Sequence, residues 1–197
     1  MADTRERWRK RLPHWEVEGR PHFVTIRCAG SIPAAAAERL REIHRSIQAV
    51  APRSAEFAQL QRHYFRASEK YLDSGDGFAP FIEASLCERL TGELTALEAT
   101  HGWACPHRVV MPNHVHLLLL PTSPAPFPLH VALAHFKGRS ARTLNLTLHR
   151  AGSFWQAEWF DHWVRDDPEQ ARIVEYIRQN PVKAGLATTW DQYPWVK

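Results

Sequence analysis

The chain has 197 residues, a formal net charge of +4 and a hydrophobic share of 44%, which describes a globular chain with a core of its own and excludes a disordered one. No apolar run approaches the roughly 20 residues that span a bilayer, and the charged N-terminus, Met1 to Arg11, has no apolar stretch behind it and does not read as a secretion signal, so a cytoplasmic location and no membrane partner are expected. The modest basic excess is compatible with nucleic acid without requiring it.

Residues 21–29 alternate loosely and are β-branched, which predicts a strand. Gly30 to Pro33 is a turn that opens a helix over 33–50, broken by Pro52 and Ser54. A second helix follows over 55–72, and Asp73 to Gly77 is a loop. Residues 80–100 carry Ile82, Leu86, Leu90, Leu94 and Leu97 at spacings of three and four, a helix that His101-Gly102 ends. Trp103 to Val110 reads as a strand, Met111 to Asn113 as a tight turn, and His114 to Leu120 as a strand apolar on both faces, hence central in its sheet. A proline-rich loop spans Pro121 to Pro128, then a basic amphipathic helix 129–150, a loop, and a short strand from Glu158 to Arg165. Asp167 as N-cap, Pro168 and Gln170 start a last helix that runs to about Gln179, where Pro181 ends it. The order is βαββαβ, an α+β ferredoxin-like sandwich with an antiparallel sheet and helices on one face. The expectation is one domain over 1–197, with a helical insertion at about 50–80 and an aromatic tail, 187–197, packed back on the domain.

Three cysteines (Cys28, Cys87, Cys105) are scattered without a Cys-x-x-Cys pair, which argues against a disulfide framework or a cysteine zinc site. Two other segments carry chemistry. His114 and His116 lie two apart on a strand and share a face, where two imidazoles can chelate one divalent ion; a His-x-His pair also arises by chance. Tyr176 and Asn180 lie four apart on the last helix and share a face. The phenol can attack while the amide oxygen completes a metal site; the alternative is a core tyrosine packed with Ile173 and Ile177. Such a set suits a phosphodiester reaction. A hard cation, Mg²⁺ or Mn²⁺, neutralises the phosphate, and a phosphotyrosine conserves bond energy for rejoining.

Lys137, Arg139 and Arg142 follow one another on the basic helix, and Arg178 on the last one with Lys183 just past its end, as candidate DNA contacts. Residues 5–11 are mostly basic, and Trp155, Trp159, Trp163 and Trp190 are interleaved with cations through the C-terminal half. Cations and rings together suit single strands; core tryptophans and solvated charged faces would look the same. His162 reads as structural.

Val110-Met-Pro-Asn-His-Val-His-Leu-Leu-Leu119, Phe136 to Asn145, Gln156 to Arg165, Tyr176 to Leu186, and Phe23 to Arg27 with Gly30 to Pro33 resemble, in order, segments of the REP-associated tyrosine transposases. These belong to the single-tyrosine HUH superfamily, named for its His–hydrophobic–His motif. The resemblance implies a ferredoxin-like HUH fold and a DNA endonuclease and strand transferase. It would cleave single-stranded DNA beside a hairpin, leaving a 5′-phosphotyrosine and a free 3′-OH. Carried over by position, Tyr176 would be the nucleophile, His114 and His116 metal ligands, and Asn180 the third ligand, where related insertion-sequence transposases use glutamine. The family includes monomers and homodimers. Two other functions stay open at this stage. One is a hairpin DNA or RNA-binding module derived from a transposase but without turnover. The other is an unrelated zinc hydrolase, for which no third strong ligand stands near the histidines in the sequence.

Overall fold

The computed structural model describes residues 4–9, 12–51, 54–122 and 127–197, with side chains from Glu16 onward. The expected break at Pro52, the middle of the proline-rich loop and the basic side chains of residues 5–11 lie outside the described residues.

An N-terminal hairpin, which the sequence reading had not assigned, pairs β1 (Thr4–Arg9) with β2 (Leu12–Val17). Then come β3 (His22–Arg27), α1 (Ala34–Ala49), α2 (Ala55–Asp73), α3 (Ala84–His101), β4 (Trp103–Met111), β5 (His114–Pro121), α4 (Leu129–Thr147), β6 (Phe160–Trp163) and α5 (Asp167–Lys183). The main sheet has the order β4-β5-β3-β6, every neighbour antiparallel. From β3 onward this is the expected ferredoxin-like topology, with three α-helices, α1, α2 and α3, between its first pair of strands. Glu16 of β2 ties the hairpin to the start of α4: its carboxylate accepts from the Leu129 amide at 2.8 Å, one of the donors a helix N-terminus leaves free. Among the described residues, no helix is long and apolar enough to cross a membrane.

The period-two alternation of the strands sorts their side chains onto two faces. Val24, Ile26, Val115, Leu117 and Leu119 meet Leu86, Leu90, Leu94 and Leu97 of α3 and Ala132, Leu133 and Phe136 of α4. Phe23 and Leu118 point the other way, into a second cluster with Val109, Met111, Val164 and Ile177, joined by Phe65 and Tyr176. The helices therefore cover both faces, not one. This double cover is why Leu117 to Leu120 of β5 is an unbroken apolar run.

Some element ends differ from expectation for local reasons. Ile82 is 76% exposed, because Pro80–Ile82 forms a 3₁₀ turn that buries Phe81 instead; α3 starts after it. α4 stops at Thr147, and His149 adopts a left-handed φ of 50°. The N-cap of α5 is Asp166, one residue earlier than read; its side chain accepts from the Glu169 amide. Pro181 does not end α5. It lacks only its own N–H, and the helix continues to Lys183 before closing in a Schellman motif, with Leu186 N–H on the Pro181 carbonyl and Gly185 at φ 69°. The last residues run along the outer edge of β4: Arg108 and Lys197 exchange both backbone bonds, and Val110 N–H meets the Trp195 carbonyl.

Candidate active site

On β5, His114 and His116 alternate with Val115 and Leu117, so both imidazoles leave the α3/α4 core and point to the α5 face. Each is held by its Nδ1. His114 Nδ1 stands 2.7 Å from Asn113 Oδ1, and the Asn113 amide nitrogen donates to the Leu72 carbonyl at 2.9 Å. The oxygen of that amide must therefore face His114, which places the proton on Nδ1 and the lone pair on Nε2. His116 Nδ1 lies 2.8 Å from Thr25 Oγ1, its cross-strand neighbour on β3, and Phe23 stacks on its ring. The two Nε2 atoms stand 3.0 Å apart.

A third donor comes from α2. Glu69 Oε2 lies 3.1 Å from His116 Nε2, and Glu69, His114 and His116 present one ligand atom each within 4.8 Å of one another. The sequence reading missed this carboxylate and saw no third strong ligand. Glu69 is 45 residues before His114, on a helix whose approach to the sheet no local spacing reveals. A signal existed: Glu69 follows Phe65 by one turn and precedes Leu72 by another, so a carboxylate interrupts the buried stripe of its helix. Ser54 caps that helix through the Phe57 amide, and Asn113 pins its last turn through Leu72.

Tyr176 reaches the same point from α5. Its hydroxyl donates to Glu69 Oε2, and its ring packs at 5.3 Å from His116 and 5.8 Å from Phe23. Asn180, one turn on and buried, makes a side-chain hydrogen bond with the phenol. Its Oδ1 has no partner among the described residues, nor has Glu69 Oε1. Lys183 stands 5.4 Å above the Tyr176 ring. With Lys70 and Asp73 it lines a shallow recess of about 330 Å³ that opens at the phenol.

Burial holds His114 well below the ordinary imidazole range, at about 3, helped by the neighbouring His116. Burial would raise Glu69, but the charge and hydrogen bond of His116, then His114 and the phenol, bring it down to about 2. Tyr176 is raised by burial and by the Glu69 charge. The resting site is a neutral imidazole, an ionised carboxylate and a protonated phenol. Two imidazole nitrogens, the Glu69 carboxylate and the free Asn180 Oδ1 form a mixed nitrogen–oxygen donor set that fits a divalent cation.

The other candidate contacts are not gathered here. Lys137, Arg139 and Arg142 lie on α4, across the sheet from the histidines. Lys137 donates to the Gln156 and Ala157 carbonyls, both at 2.7 Å, and burial lowers its amine to about 8. Arg139 pairs with Glu93 at 3.1 Å, and Arg142 is exposed. Arg178 stacks over Trp190 at 4.8 Å. His162 binds Glu169, a structural contact as read.

Asn113→Ala is expected to cost about 1–3 kcal/mol in the metal-free protein, because it orphans the buried His114 N–H, while the Leu72 carbonyl keeps its Gly75 amide. Divalent affinity should fall about 10–100-fold. Chemical denaturation and metal titration check the two; unchanged stability would remove the coupling assigned to this amide.

A mixed sandwich thus carries a tyrosine, two histidines and a carboxylate together on one sheet face. The chain belongs to the IS200-like transposase family, whose model matches residues 80–180. It is 26% identical over 123 residues to a Haemophilus influenzae protein described as a REP-associated tyrosine transposase, covering 54% of this chain and 69% of that one. Its fold matches the solved structure of a REP-associated tyrosine transposase bound to a REP hairpin, with a TM-score of 0.59 and 13% identity over 95% of this chain and 82% of the other. Glu69 lies outside the family-matched segment.

Proposed function

We propose that this chain nicks and rejoins single-stranded DNA beside hairpin repeats of the REP kind, through a 5′-phosphotyrosine on Tyr176. The observation that carries the reading is the meeting of the phenol with the carboxylate that also stands against His116. The fold match to a transposase bound to a REP hairpin supports the choice of substrate.

In this reading the Tyr176 oxygen attacks the scissile phosphorus and the bond to the 3′ oxygen breaks. The phenol proton passes to Glu69, already its hydrogen-bond acceptor, and the departing 3′ oxygen takes a proton from water. Rejoining reverses the exchange, with a 3′-OH as nucleophile. Asn180 holds the phenol oxygen from the next turn of α5. Lys183 and Lys70 place positive charge at the recess the phosphate would enter. His114, His116 and Glu69, with the free oxygen of Asn180 as a further donor, would hold Mg²⁺ or Mn²⁺, which supplies charge neutralisation at the phosphate and the leaving oxygen. These residues all come from one chain, so the proposed site is complete in a monomer. Lys137, Arg139, Arg142 and Arg178 would serve the DNA away from the chemistry, Lys137 by holding the backbone at 156–157.

The test is covalent trapping. The protein is incubated with oligonucleotides that carry the gene's flanking hairpins, with Mn²⁺ or Mg²⁺ and with a chelator, and run on a denaturing gel. A metal-dependent protein–DNA adduct is expected. Hairpin binding without an adduct would replace this reading with a binding module.

A further inference from the structure

We infer that Arg27 is a phosphate-binding residue of this site, and that the cleft it lines takes the nucleotide of the single-stranded flank next to the scissile bond. The inference rests on the DNA-nicking reading above and assigns a subsite within it.

Arg27 ends β3 directly opposite His114, as Thr25 stands opposite His116. Cross-strand partners share a face, with Cβ atoms about 5 Å apart, so Arg27 emerges on the histidine side of the sheet. Its side chain lines a cleft of about 390 Å³ between α1, α2 and residues 156–160, within the range of small-ligand sites. Glu69 lies on the wall of this cleft and of the tyrosine recess, so the two openings meet at the carboxylate.

Arg27 is half-buried, and the Tyr64 hydroxyl is its hydrogen-bond partner. No carboxylate of the described residues forms an ion pair with it, and none is among the charges acting on it. The two acids in the cleft are engaged elsewhere: Glu69 by His116 and Tyr176, while the Glu158 charge acts on Lys137. A cation drawn even partly out of water is ordinarily paired. Here the place of the counter-ion is open to the cleft, and the fork of N–H donors matches a phosphate. Phe65 and Phe160, half-buried at 4.7 Å from each other, give the same cleft an aromatic wall on which a base can stack.

The test compares a blunt hairpin with the same hairpin carrying a single-stranded flank, by fluorescence anisotropy in chelator, so that neither metal nor turnover enters. Arg27→Gln is expected to lose about tenfold in affinity for the flanked hairpin, the worth of one charge-assisted bond, and nothing for the blunt one. Its salt dependence on the flanked hairpin should be shallower by about 0.7, one phosphate contact on a single strand. Arg27→Lys should recover part of both. Unchanged binding of the blunt hairpin and an unchanged melting temperature show that the variant is folded; if Arg27→Gln fails either control, Arg27→Lys alone decides, and parent-like affinity and salt slope in it would then overturn the inference. Equal affinity and equal slope in parent and Arg27→Gln would overturn the inference while a parent adduct left the nicking reading standing. A parent that binds neither hairpin would overturn both.

Discussion

Replacing Tyr176 with phenylalanine is expected to reduce the covalent adduct by at least about a thousandfold, below detection on a denaturing gel, while hairpin affinity stays at the parent value. The ring keeps its packing against Phe23, Phe65 and His116, so the fold has no reason to change. Only the oxygen is lost, and with it the proposed nucleophile. Divalent affinity should hold or rise slightly, because Glu69 loses a hydrogen-bond donor that competes for Oε2. An adduct surviving in Tyr176→Phe would mean that another side chain is the nucleophile.

Glu69→Ala should weaken Mn²⁺ or Mg²⁺ binding by at least about a hundredfold, since even residues that merely orient a ligand are worth up to that much, and this change removes the only anionic donor of the set. Two imidazoles at 3.0 Å separation remain, a poor site for a hard cation. Asn180→Ala separates the two candidates for the third ligand. If Glu69 is the third ligand and Asn180 a further one, the loss on Asn180→Ala is the smaller of the two. Isothermal titration of the metal into each variant decides, and a larger loss in Asn180→Ala would restore the amide as third ligand. Glu69→Ala also removes the acceptor of the phenol proton, so its adduct should stay low even at saturating metal.

What the sequence made legible was what short-range periodicity encodes. His-x-His in a run apolar on both faces specified a central strand with two imidazoles on one side, and β5 is that strand. The four-residue step from Tyr176 to Asn180 specified a shared helical face, and both reach the site. The leucine spacing of 86–97 specified α3. What could not be read depends on how elements are brought together. Glu69 belongs to the site only because α2 lies across the histidine face and Asn113 ties its last turn to the sheet. Arg27 and Thr25 become neighbours of the histidines through the β3–β5 register, which pairs residues about 90 positions apart. The basic residues of α4 looked like companions of the histidines in a one-dimensional string, yet the pleat puts them behind the sheet. Pro181 misled because a general helix-breaking tendency was outweighed by a last turn with its own terminal hydrogen bonds.

The backbone exchange between the final residues and β4 has a consequence for assembly. A sheet rim with unpaired amides invites a strand from another molecule. Here one rim is already occupied by the chain's own tail at Arg108 and Val110, and the opposite rim offers the four residues of Phe160–Trp163. Neither is a generous template for a continuous intermolecular sheet.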